Sequence, residues 1–154
     1  MLSVNDIAAW GITHPWPSAD QTEQDLLLSR AICTIAAHDY PGQELVFRGG
    51  TALHKLHLAS PLRYGEDLEY VRSTGGGIGQ LTGALLDLGR TMGLDVSSKI
   101  TEHPKALWRT TSQAGTPLRV KAEVNTHERS PAQLPAPYGP DEAALVTGRL
   151  LSLV

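Results

Sequence analysis

The sequence is poor in cysteine, in long apolar runs and in excess charge of either sign, and each shortage excludes something. The lone Cys33 cannot form an internal disulfide. Its place in an apolar helical pattern reads as a buried thiol, which suits a reducing compartment. No apolar run approaches the roughly 18 residues of a transmembrane helix, so no membrane partner is expected. The opening MLSVNDIAAWG carries an acid, and neither Lys nor Arg, ahead of its short apolar stretch. That is not the pattern of a secretory signal, and the expected location is the cytoplasm. Thirteen basic residues against sixteen acidic ones give a formal charge of −3. This excludes a histone-like nucleic-acid binder but leaves room for a local basic patch. Neither an internal repeat nor a low-complexity tract is present. What remains is 154 residues with ordinary apolar and charged content, about one domain with a core of its own.

Ser18 followed by Gln21 fits a capping box, and Leu28, Ala31, Ile32 and Ile35 recur at helical spacing through Ala37. Pro41-Gly42 is a breaker pair. Leu45-Val46-Phe47 reads as a short buried strand, Gly49-Gly50-Thr51 as a turn, and Ala52 to Leu58 as a short helix stopped by Ser60-Pro61. Asp67 to Val71 is a second strand. After the Gly75-Gly76-Gly77 loop, Ile78, Leu81, Leu85, Leu88 and Met92 mark an amphipathic helix that ends at Gly93. Strands are expected over 94–102, 106–113 and 117–126. In the last, Leu118, Val120, Ala122 and Val124 face one way, and Arg119, Lys121, Glu123 and Asn125 the other. The order predicts an α/β or α+β domain with a mixed sheet. SPAQLPAPYGP (130–140) is a Pro-rich linker, and Asp141 to Val154 reads as a short helix.

In RYGEDLEYV (63–71), Asp67 and Glu69 share one strand face, about 6–7 Å apart. Two carboxylates at that distance repel by roughly 2–3 kcal/mol at an effective dielectric near 20. A solvated edge tolerates this, and paired acids on an edge also deter unwanted pairing. A concave site tolerates it with a cation between them, and hard oxygen donors suit Mg²⁺ with a substrate phosphate. Glu123, on the polar face of another strand, supplies a third acid; three acids from two strands suit a two-metal phosphoryl displacement. VFRGGTALHK (46–55) adds a strand, Gly-Gly-Thr and a helix. Glycines permit close backbone approach, and the start of a helix favours an anion. Gly49, Gly50 and Thr51 are therefore candidates for a phosphate cradle, with Lys55 one turn on. The plain alternative is a tight turn with Thr51 as helix cap.

Together, RGGTALHK and RYGEDLEYV, with KAEVNTHE at 121–128 and QDLLLSR at 24–30, resemble the AbiEii/AbiGii-type (MenT-like) nucleotidyltransferase toxins of the DNA-polymerase-β-like superfamily. The resemblance covers roughly residues 16–128. It implies a polymerase-β-like core over 1–129, a mixed sheet flanked by helices. It also implies a toxin of a toxin–antitoxin pair that moves a nucleotide from an NTP, with Mg²⁺ or Mn²⁺, to an RNA acceptor, the tRNA 3′ end. In those terms Gly49, Gly50 and Thr51 hold the triphosphate, with Lys55 and Arg63 as further phosphate contacts. Asp67, Glu69 and Glu123 are the catalytic, metal-binding acids, and a cognate antitoxin is a partner.

Three departures accompany the resemblance. Gly65 stands where the family has Ser, and Glu69 where it has Asp. The family continues into a helical C-terminal region that Asp141 to Val154 does not resemble, so 130–154 reads as truncated. The alternative expectation is a non-catalytic module of the same fold that binds nucleotide, antitoxin or a second copy of itself through surface those helices would cover. A kinase-like phosphotransferase shares the cradle and paired acids but lacks a Walker lysine and a kinase catalytic loop. Elsewhere, His54 and His57, spaced i, i+3, read as a polar helix face, and Trp10, Trp16 and Trp108 as packing residues. Arg119 and Lys121 read as compensating Glu123 or touching RNA phosphate.

Overall fold

The computed structural model describes residues 2–57 and 64–127. Arg63, the Pro-rich stretch and the expected C-terminal helix lie outside the described residues. The chain opens with α1 (Val4–Thr13), which no expectation above covers. It is nucleated by its own capping box: the Ser3 hydroxyl accepts from the Asp6 N–H, and the Asp6 carboxylate accepts from the Ser3 N–H. The expected box of Ser18 and Gln21 starts α2 (Ala19–Ala37) in the same way. Pro41 does end α2, but it also starts a single helical turn, α3 (Pro41–Glu44), where its missing N–H is no loss. Then come β1 (Leu45–Arg48), α4 (Gly49–His57), β2 (Asp67–Arg72) and α5 (Gly79–Thr91). β3 (Asp95–Ile100), β4 (Pro104–Thr111) and β5 (Pro117–Asn125) complete the described elements.

The five strands form one mixed sheet in the order β1-β2-β5-β4-β3. Only β2 and β5 run parallel; the other neighbours are antiparallel. The α/β expectation with a mixed, helix-flanked sheet therefore holds. The alternation along β5 settles which face is covered. Leu118, Val120, Ala122 and Val124 are buried with Leu68, Tyr70, Ala106 and Trp108 and with the apolar sides of α2 and α5. Trp108 is wholly buried, and Gly89 lets α5 approach it: a β-carbon there would fall 2.7 Å from the indole Nε1. Asp67, Glu69, Lys121 and Glu123 alternate with those core residues and so share the other face.

α2 does more than cover the sheet. Gln24 is almost fully buried, and its amide makes both hydrogen bonds with the backbone of Arg119: Nε2 donates to the carbonyl (2.6 Å) and Oε1 accepts from the N–H (3.2 Å). Arg119 pairs with Arg109 on β4, but β2 reaches β5 only from Lys121 onward, so Gln24 stands in for the neighbour that Arg119 lacks on its β2 side. Among the described residues no helix is long and apolar enough to cross a membrane.

Candidate active site

β1 leads straight into α4 through Gly49, whose φ of +84° is a left-handed conformation that side chains disfavour. A β-carbon there would also meet the Glu69 carboxylate, lying 2.9 Å from its Cδ. Glycine is therefore required twice over, and the turn and the acidic strand are in direct contact. The helix begins at Gly49 itself rather than at Ala52. Its first N–H groups have no acceptor within the helix and carry the positive end of its dipole. The Thr51 hydroxyl donates to the Asp67 carbonyl at 2.8 Å, which ties the start of α4 to the start of β2. That proton is committed, so what Thr51 offers an anion is its backbone N–H. Gly65 lies against the same hydroxyl: a β-carbon there would stand 3.4 Å from Oγ1.

Register brings the three acids together. Glu69 pairs with Glu123 across the parallel β2–β5 ladder, and Asp67 lies one pleat away on the same face. Adjacent strands are about 4.8 Å apart, so these are neighbouring carboxylates on one surface. As the side chains stand, two of them turn to lysines: Asp67 is 3.1 Å from Lys121 Nζ, and Glu123 is 3.4 Å from Lys105 Nζ. Among the described residues no three Asp, Glu, His or Cys side chains converge as metal ligands do. By type and placement, three hard oxygen donors beside a helix start still suit a divalent cation together with phosphate.

The other expected contacts fall elsewhere. Lys55 turns from the acids to Asp25 on α2, with Nζ 2.6 Å from Oδ1 and little of either side chain exposed. Asp25 also accepts from the Trp10 indole N–H at 2.9 Å, and the ammonium lies 5.5 Å from the centroid of that ring. Burial pulls the Lys55 proton affinity down, and Asp25 offsets part of this. His14 stacks flat on Trp10; burial, then the Lys55 charge, lowers its proton affinity. Lys55 thus anchors α4 to α2. Lys121 compensates Asp67 rather than Glu123, and Arg119 pairs with Glu66 at 2.7 Å. Lys105 was not singled out by the sequence, because only the β4–β5 register brings it to Glu123. The phrase at 24–30 gains a structural role through Gln24 and Asp25. His54 is buried against Trp16 rather than on a polar helix face. Cys33 is half-buried, not buried, and lines a cavity of about 430 Å³ with Trp10, Leu26 and Met92, under α1 and α2 on the covered side of the sheet.

A five-stranded mixed sheet flanked by helices is an architecture consistent with a polymerase-β-like nucleotidyltransferase fold. Among solved structures the chain is similar to MenT4, a nucleotidyltransferase toxin from Mycobacterium tuberculosis H37Rv, with a TM-score of 0.54 and 18% identity. The match covers 90% of this chain and 52% of that one, so the chain spans about half the length of the toxin. No protein-family model and no curated protein sequence matches it.

Proposed function

We propose that the chain is the nucleotidyl-transfer core of a toxin that moves a nucleotide from an NTP to an RNA acceptor, the tRNA 3′ end. The observation that carries this reading is the juxtaposition of Asp67, Glu69 and Glu123 on β2 and β5, with Gly49 against Glu69. In such a transfer the acceptor 3′-hydroxyl oxygen bonds to the α-phosphorus of the NTP, the bond to the β-phosphate side breaks, and pyrophosphate leaves. The N–H groups at the start of α4 would hold the triphosphate. Asp67, Glu69 and Glu123 would hold Mg²⁺ or Mn²⁺, which supplies positive charge where negative charge develops. Glu123 would also favour deprotonation of the attacking hydroxyl. Thr51 and Gln24 act by position, keeping α4 on β2 and β5 in register.

The test is incubation with Mg²⁺, each labelled NTP in turn and total tRNA, beside Asp67→Ala. The expected result is label on tRNA with at least one NTP and none with the variant. Label that persists with Asp67→Ala would overturn the assignment. A folded protein that binds NTP but labels no RNA would favour the non-catalytic nucleotide-binding reading, which the 52% span of the MenT4 chain keeps in view.

A further inference from the structure

Every acid of the candidate site has a cation beside it in the register of the sheet. Asp67 stands opposite Lys121, Glu123 opposite Lys105, and Glu69 opposite Arg48 as well as Glu123. The two lysines close into ion pairs at 3.1 and 3.4 Å, and about a quarter of each lysine side chain is exposed. These pairs differ in kind from the Lys55–Asp25 pair, which is 2.6 Å long and nearly buried. Charge-assisted N–H···O contacts settle near 2.7–2.9 Å when they are fixed. The lysine contacts at the acids are longer and reach solvent.

We propose that Lys105 and Lys121 are resident counter-cations that a divalent ion displaces when it loads the site. The proposal rests on the reading of Asp67, Glu69 and Glu123 as metal ligands. Three neighbouring carboxylates need positive charge nearby at all times, and the two ammonium groups supply it when no ion is bound. Lysine suits this work because its charge is a compact point on a flexible stem, able to leave without disturbing the strand; arginine would clamp a carboxylate with two parallel bonds. The same ammonium groups turn Asp67 and Glu123 away from a shared centre, which accounts for the unconverged side chains. Lys105 and Lys121 therefore set the concentration of metal at which the acids gather.

The experiment is Mn²⁺ binding, read from the electron paramagnetic resonance signal of the free ion, with no nucleotide or RNA present. Wild type is compared with Lys105→Met, Lys121→Met, the double variant, Lys121→Arg, Arg119→Met and Asp67→Asn. Each Lys→Met change is expected to tighten Mn²⁺ about threefold, and the pair roughly tenfold, in line with the small worth of exposed ion pairs. Lys121→Arg keeps the charge and is expected to bind no more tightly than wild type. Arg119→Met removes the same charge from the same face but from a pair with Glu66, and is expected to change nothing. Unchanged or weaker binding in both Lys→Met variants, with wild type still binding, would overturn the inference alone. So would an Arg119→Met effect as large as theirs, since net charge would then suffice. Absence of Mn²⁺ binding throughout, or full binding by Asp67→Asn, would overturn the metal-site reading and the inference with it. Circular dichroism of each variant confirms the fold, and Lys121→Arg is the substitution least able to disturb it.

Discussion

Replacing Lys55 by methionine keeps the aliphatic stem and removes only the ammonium. The Coulomb attraction at 2.6 Å is about 6 kcal/mol at an effective dielectric of 20, before either group's loss of water is counted. Burial works against the charged lysine, as its lowered proton affinity records, and the Trp10 indole would still donate to the stranded carboxylate. The net loss should sit near the lower end of the about 3–5 kcal/mol for breaking a buried pair. For a domain of this size that is a fall in Tm of about 10 °C. Asp25→Asn alone should also destabilise, and the double variant should recover part of the loss, with a coupling energy of about 2 kcal/mol. Thermal and urea unfolding of the four proteins gives the cycle, and NTP binding is followed in parallel. A Lys55→Met protein with wild-type Tm that no longer binds NTP would refute this reasoning and return Lys55 to the role of phosphate ligand.

Three further outcomes follow from the geometry. Gly49→Ala should cost at least about 1–2 kcal/mol, because an L-residue is forced to φ +84°, and should displace Glu69 as well; a variant as stable as wild type in urea would contradict the turn described. Gln24→Leu strands both backbone groups of Arg119 and should cost about 2–3 kcal/mol, with faster amide hydrogen exchange at Arg119 and unchanged exchange in β3. Burial alone would raise the Glu44 carboxyl, but the Thr74 hydroxyl and the Arg72 guanidinium, 2.8 Å away, outweigh it and hold the proton affinity below its ordinary value. A lowered folded pKa gives stability that is fully present above about 4.5 and lost as pH falls through the folded value. Urea midpoints from about pH 6 to about pH 3 should therefore fall less steeply in Glu44→Gln than in wild type; equal slopes would contradict this.

Local patterns carried much of the fold. The Ser18–Gln21 box, the alternation over 118–125 and the Ile78–Met92 stripe each mark an element that the structure contains. α1 obeys the same capping rule through Ser3 and Asp6, but Gly11 and a broken apolar stripe hide its period. Pro41 is a stop signal for one helix and a start signal for the next, which breaker rules alone do not separate. The acids were legible as types on strand faces, whereas their partners were not. Whether Lys121 serves Asp67 or Glu123, and that Lys105 serves Glu123 at all, depends on strand register, which long-range pairing sets. Lys55 shows the same dependence: its sequence neighbours are the glycines, but its charge pairs with Asp25 on α2, 30 residues earlier.

The last described strand in the chain is the middle strand of the sheet. Until β5 arrives, β1–β2 and β3–β4 are two separate ribbons with no hydrogen bonds between them, and Asp67 and Glu69 face no third acid. A chain emerging from the ribosome would thus carry an incomplete acidic cluster until Glu123 is made and β5 threads between the two ribbons. Long-range closure of this kind is slow compared with local pairing. Assembly order thus becomes a form of timing: the three acids share one face only after synthesis has passed Glu123.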